Sequence, residues 1–220
     1  MHPHHFIVAA LACAAAPLAH AQSTSNLALG GSITPAACAI SIQDNGVADY
    51  GVINKVNLNP NPAANTVLPE TVLATLVNCI APTRYGLRMI DNRIDSRAGL
   101  HTQEYGLGKT VDGINVGSLR LNIGYVIDLD GAPGYFTRTD NGGATWLSSL
   151  LIVSSFPPTD THPATIFAST TIQGSTAGPS LTTVGTYNLR FAPTIRPANQ
   201  LTWTDDLTLD GSATLELVYL

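Results

Sequence analysis

The run Thr71-Val72-Leu73-Ala74-Thr75-Leu76-Val77-Asn78-Cys79 alternates with a period of two, and that period limits the fold more than any other feature of the chain. Side chains two apart share one face of a strand, whereas a helix needs apolar positions three and four apart. Similar runs occur at Leu27–Leu29, Ala39–Ile42, Tyr85–Ile90, Ser118–Ile127, Leu150–Val153, Ala164–Ala168, Gly185–Phe191 and Ala213–Leu220. Turn-forming pairs lie among them: Asn45-Gly46, Asp112-Gly113, Asp130-Gly131, Asn141-Gly142-Gly143 and Asp210-Gly211. No window of 11 or more residues carries a clean helical period with caps. Short strands at this spacing predict an all-β sandwich. No linker divides it, and Asn57–Ala64 reads as a long loop inside the single domain.

The one sustained apolar run, Phe6–Leu18, precedes Ala19-His20-Ala21. Together they read as the core of a secretory signal and its cleavage site, although the preceding residues contain no Lys or Arg. The run is too short to span a bilayer, which takes about 20 residues. Residues 1–21 are therefore expected to be removed, leaving 22–220 as the mature domain, exported to the periplasm and then to the cell surface. Alternatively, Cys13 becomes a lipidated amino terminus after Ala10-Leu11-Ala12, with a very short apolar stretch before it.

Cleavage after Ala21 removes Cys13 and leaves Cys38 and Cys79. In an oxidising compartment an even pair points to a disulfide, which would stabilise the fold by about 4 kcal/mol in the chain-entropy model. The alternative is two separate buried thiols. Neither cysteine has zinc-ligand spacing, and the mature histidines, His101 and His162, do not cluster with them.

Charged residues make up 11% of the chain, the net charge is -5 and mean hydropathy is positive. That combination excludes disorder. With Lys55 and Lys109 the only lysines, there is no basic stripe for a nucleic acid. Enzyme signatures are also missing: no Gly-x-Ser-x-Gly elbow, no His-Glu-x-x-His, no phosphate-cradling loop and no free cysteine after oxidation. The expectation is no enzyme, no cofactor and no metal, though a hydrolase triad built around His101 or His162 from distant residues is a further reading. Asp91, Asp95, Asp128 and Asp130 would bind calcium only if loops brought them together. Thr139–Trp146 resembles the Asp-box turn of sialidases with Asn141 at the aspartate position, and is read as a hairpin turn with Trp146 packed on the sheet.

Four segments in order resemble one family. Leu29-Gly30-Gly31-Ser32-Ile33-Thr34-Pro35-Ala36-Ala37-Cys38 is similar to a pilin opening, and Tyr50-Gly51-Val52-Ile53 to the short strand that follows it. Leu73–Cys79 resembles the strand carrying the second cysteine, and Ala213–Leu220 the alternating last strand with its penultimate tyrosine. These are marks of a chaperone-usher pilus subunit, and more narrowly of secreted fimbrial-like proteobacterial proteins. The resemblance implies an immunoglobulin-like sandwich lacking one strand and completed by a donated one, from a periplasmic chaperone and then from a neighbouring subunit. It places the accepting edge at Ala213, Leu215, Leu217, Tyr219 and Leu220, and the chain's own donor residues at Leu27, Leu29 and Ile33. An ordinary strand inside a closed sheet is the alternative for the C-terminal segment.

Two departures stand out. Leu207 occupies the position where the family usually has glycine, the nearest glycine being Gly211, and the donor segment opens with five polar residues, Gln22–Asn26. The chain is thus expected to accept a strand better than it provides one, as a minor or tip subunit would. The surplus length, in extended loops around 91–160, suggests a shallow glycan site drawing on Tyr105, Tyr135 and Trp146, with Tyr125 and Phe136 as further candidates; the alternative is that these rings fill the sandwich core. The alternative function is a self-contained secreted carbohydrate-binding module. Neither function involves nucleic acid or membrane insertion.

Overall fold

The computed structural model describes residues 37–124, 128–148, 153–202 and 207–220. The expected signal peptide, the donor residues Leu27, Leu29 and Ile33, and Tyr125 lie outside the described residues. Fourteen strands are described: β1 Cys38–Ile42, β2 Thr66–Val67, β3 Thr71–Thr83, β4 Tyr85–Asp91, β5 Tyr105–Gly106, β6 Gly117–Gly124, β7 Asp128–Leu129, β8 Ala132–Pro133, β9 Tyr135–Thr139, β10 Leu147–Ser148, β11 Val153–Ser155, β12 Ile166–Thr170, β13 Thr182–Ile195 and β14 Ala213–Tyr219. Helix among the described residues is confined to short 3-10 turns.

The strands form two antiparallel sheets packed as an all-β sandwich. One runs β1-β3-β13-β6-β11, with β2 and β7 also pairing with β13, β5 with β6 and β8 with β7, and the other runs β10-β9-β12-β4-β14. β3 shows how the sequence period becomes a layer. Leu73, Thr75, Val77 and Cys79 point inward and are buried, while Val72, Ala74, Leu76, Asn78 and Ile80 face out. Between the sheets lie Leu87, Met89, Tyr105, Leu121, Ile123, Phe156, Phe167, Tyr187 and Leu189. Phe156 and Phe167 meet edge to face with centroids 5.1 Å apart.

The tyrosine hydroxyls inside this core are paired, as burial requires, whereas Thr75 Oγ1 is buried with no hydrogen-bond partner among the described residues. The Tyr85 and Tyr187 hydroxyls share a 2.8 Å hydrogen bond, and Ser169 Oγ donates to Tyr187 Oη at 3.2 Å. Gly185 makes room for the pair, because a Cβ there would lie 2.1 Å from the Tyr85 hydroxyl. A second, smaller core of Ile53, Leu58, Val116, Ile195, Leu201 and Leu207 lies under the long segment 47–68.

Three predicted turns close hairpins or tight loops: Asp130-Gly131, with φ of 54° and 83°, between β7 and β8; Asn141-Gly142-Gly143 between β9 and β10; and Asp112-Gly113 inside the Lys109–Asn115 bridge. Asn45-Gly46 instead continues a left-handed stretch that turns the chain out of β1. Asp210-Gly211 makes no hairpin and leads directly into β14, with Asp210 N–H donating to Leu107 O at 2.9 Å.

Tyr50–Ile53, expected as a strand, is irregular. Gly51 adopts φ 62° and donates to Asp49 Oδ1 at 2.8 Å, a local turn that competes with pairing, and only Ile53 forms a bridge, to Leu207. The run Ala164–Ala168 is displaced to β12, two residues further on. β9 was not foreseen because its buried positions include Thr137 and Thr139, so its alternation is not one of hydropathy.

Candidate functional site

β14 is the last strand of its sheet and β1 the last strand of the other. Hydrogen-bond parity shows what these two edges present. Asn92 N–H donates to Ser212 O, and Leu220 N–H to Arg84 O, at the two ends of the β14–β4 ladder. Because antiparallel rungs alternate, even-numbered residues of β14 bond to β4, and Ala213, Leu215, Leu217 and Tyr219 turn their N–H and C=O groups outward. The same argument applies to β1. Ile80 N–H donates to Ala37 O, so odd residues bond to β3 and Cys38, Ile40 and Ile42 face away from it.

The side chains on these outward rungs point into the sandwich. Ile40, Ile42, Ala213, Leu215 and Leu217 are half-buried and pack against the main core. Among the described residues no strand pairs with the outer edge of either β1 or β14. A cavity of about 520 Å³ opens between the two rims, walled by Ile42 and Gly46–Val52 on one side and by Leu207–Leu209 and Gly211–Ala213 on the other. Met89, Leu119, Leu121, Leu189 and Phe191 form its floor. An apolar floor between two backbone edges is suited to an extended strand, since unpaired edge groups seek a partner strand.

At the other end the rims touch. Cys38 N–H donates to Tyr219 Oη at 2.9 Å. The Cys38–Cys79 disulfide bolts the start of β1 to β3, so the expected pairing is observed. On the outer face of β14, Glu216 accepts from Arg88 Nε at 2.7 Å, and this hydrogen bond holds its carboxyl below the usual range.

The sequence-predicted edge residues therefore come together on one strand, with Ala213, Leu215 and Leu217 inward. Tyr219 and Leu220 are 45% and 42% exposed and cap its end. The facing rim was missed: alternation in Ala39–Ile42 identifies Ile40 and Ile42 as one face but carries no information about what lies opposite.

The glycan candidates do not converge. Tyr105 is fully buried and donates to Phe156 O at 2.7 Å, with burial pushing its hydroxyl pKa up; it is a core residue and cannot meet a sugar. Phe136 is also buried in the core. Tyr135 and Trp146 are half-buried at opposite ends of the β9–β10 hairpin, with Gly178 close against the Trp146 ring. Asn141 locks that hairpin, its Oδ1 accepting from Thr139 Oγ1 at 2.7 Å and from Thr145 N–H at 2.9 Å.

A second cavity, of about 590 Å³, combines polar side chains with Pro157, Pro163 and Ala164. Its lining includes Gln103, Arg138, Asp140, Ser155, Thr161 and His162. Arg97 lies outside the lining and holds Asp160, the residue before Thr161. One side of the guanidinium pairs with Asp160 at 2.6 and 2.7 Å, and Nε donates to Asp91 Oδ2 at 2.7 Å. Asp91 also accepts from Arg93 N–H and Gly106 N–H. His162 shares its Nδ1 with Thr161 Oγ1 at 2.9 Å. His101, whose pKa burial lowers, lies 3.5 Å from Thr194 Oγ1. Neither histidine has a serine and a carboxylate arranged as a triad in the hydrogen bonds of the described residues.

The four aspartates do not form a cation site. Asp91 is engaged by Arg97, and Asp130 accepts from Thr183 and Val184 N–H. No group of three or more potential metal ligands occurs among the described residues. No helix among them is long and apolar enough to cross a membrane.

Residues 27–104 match the model of a family described as a protein of unknown function, DUF1120. That segment covers β1 to β4 and the disulfide but not β14. No curated protein sequence matches the chain.

Proposed function

We propose that this protein is an exported structural or adhesive subunit of a surface fimbria, assembled when a periplasmic chaperone and then a neighbouring subunit lend a β-strand to the groove between β1 and β14. One observation carries the reading: Ala213, Leu215 and Leu217 turn backbone groups outward while their side chains pack on the core, those of Ala213 and Leu215 beside a cavity with an apolar floor. A donated strand satisfies both at once, pairing its backbone with the edge and burying alternate side chains at about 1.5–3 kcal/mol each. The Phe6–Ala21 segment and the disulfide are consistent with export. The polar opening of the mature chain, Gln22–Asn26, favours a minor or tip position, because a donor needs large apolar side chains.

Producing residues 22–220 in the periplasm with and without a pilus chaperone tests the reading. The expected result is a one-to-one complex and several-fold more soluble protein with the chaperone. A stable monomer in equal yield without it contradicts the proposal. That outcome favours the second reading, a self-contained carbohydrate-binding module using the second cavity, at Gln103, Asp140 and His162, which a glycan array on the monomer then tests.

A further inference from the structure

Tyr219 and Cys38 join the two rims of the groove at one end, and we propose that this contact is a register stop, fixing where a donated strand ends and so which of its residues fill the core. The inference rests on the reading of the groove as a strand acceptor and adds what sets the alignment.

The outward rungs of β14 fall at Ala213, Leu215, Leu217 and Tyr219, and the last differs from the others. There the Cys38 N–H, which parity directs away from β3, is taken by Tyr219 Oη at 2.9 Å. Both ends of this bridge are anchored. The disulfide ties Cys38 to Cys79 of β3, and Tyr219 sits in the ladder opposite Tyr85. A strand adding to β14 thus finds three rungs before it meets the bridge. Rungs about 6.8 Å apart accommodate an extended segment of about six residues. At the far end the walls Gly46–Val52 and Leu207–Leu209 are joined by the isolated Ile53–Leu207 bridge, which lies outside β14 itself.

A stop is needed because alternation alone leaves the register ambiguous. A slip of one residue exchanges the two faces and puts polar side chains into the core, so the apolar floor excludes it. A slip of two keeps the faces and goes unopposed by the pattern. A fixed bridge across the groove opposes it. The occupant is an extended segment of another chain, about six residues long, with large apolar side chains at alternate positions. The chain's own Gln22-Ser23-Thr24-Ser25-Asn26 does not supply that set.

The test uses the mature chain, released from denaturant with its disulfide intact, and peptides of six and ten residues with isoleucine and threonine alternating. A photo-crosslinker at one peptide end reports the register by mass spectrometry. For the wild-type chain the expected result is one register, ending at Tyr219, and equal affinity for both lengths within twofold. Tyr219→Phe, which keeps the ring and loses the hydroxyl, and Tyr219→Ala are expected to give crosslinks at sites two residues apart. The ten-residue peptide should then bind about tenfold more tightly, as one further buried apolar side chain provides. One unchanged register in all three proteins overturns the stop and leaves the acceptor reading intact. Failure of the wild-type chain to bind either peptide overturns both. Binding only after deletion of residues 22–36 identifies the chain's own segment as the occupant and overturns the assignment to another chain.

Discussion

Arg97 ties two acidic side chains from separate segments together. Its side chain is 16% exposed and it serves Asp91, whose side chain is wholly buried, together with the half-solvated Asp160. Truncating it leaves a buried carboxylate without its cation, so Arg97→Ala is expected to cost about 3–5 kcal/mol in urea unfolding, whereas exposed Arg138→Ala should cost under about 1 kcal/mol. Hydrogen bonds from arginines hold the carboxyls of Glu70, Asp160 and Glu216 below their ordinary range. Carboxyls with depressed folded-state pKa values contribute stability that is complete above their unfolded pKa, near 4, and lost as pH falls through the folded value. The unfolding midpoint should therefore be level near neutrality and drop below about pH 4, with a shallower drop in Asp160→Asn. In the core, Tyr187→Phe removes the partner of both Tyr85 and Ser169 and is expected to cost about 1–3 kcal/mol.

At the scale of elements, the disulfide and the alternation of β14 matter most. Replacing both Cys38 and Cys79 with alanine should lower stability by about 4 kcal/mol and release β1 from the groove edge, measured by denaturant unfolding. On β14, Leu215→Asp faces the groove and Thr214→Asp faces away. The first should abolish capture by a chaperone in pull-down, and the second should leave it within twofold. Equal loss in both would mean that the face does not matter. These elements were readable in the sequence to different degrees. β3, β13 and β14 were found because each buries one apolar face, so the period of burial is also the period of hydropathy. β9 was hidden because Thr137 and Thr139 occupy its buried positions. Tyr50–Ile53 misled because its apolar residues serve a groove wall and the smaller core without forming a ladder. Of the site, the inward set on β14 was legible and the facing rim was not, since Ile40 and Ile42 lie far from β14 in sequence and only the fold brings them opposite it. Tyr105 shows the limit of reading aromatic residues by type, because nothing in its neighbourhood distinguishes a core ring from a surface one.

At the scale of the whole molecule, the core between the two sheets is bordered, at the seam of β1 and β14, by two edges that no strand among the described residues pairs with. Rims of isoleucine and leucine at that seam combine unpaired backbone with half-buried apolar side chains, a hazard for a protein on its own and a binding site for one with a partner. Strand addition at this seam entails an exchange pattern that follows residue parity. In the chain alone, amide hydrogens of Glu216 and Val218, bonded to β4, exchange slowly, and those of Leu215 and Leu217 exchange fast. In a complex with a strand-donating chaperone or peptide, Leu215 and Leu217 should become as protected as their neighbours. Unchanged fast exchange at Leu215 and Leu217 in a complex that demonstrably forms would contradict strand addition at this edge.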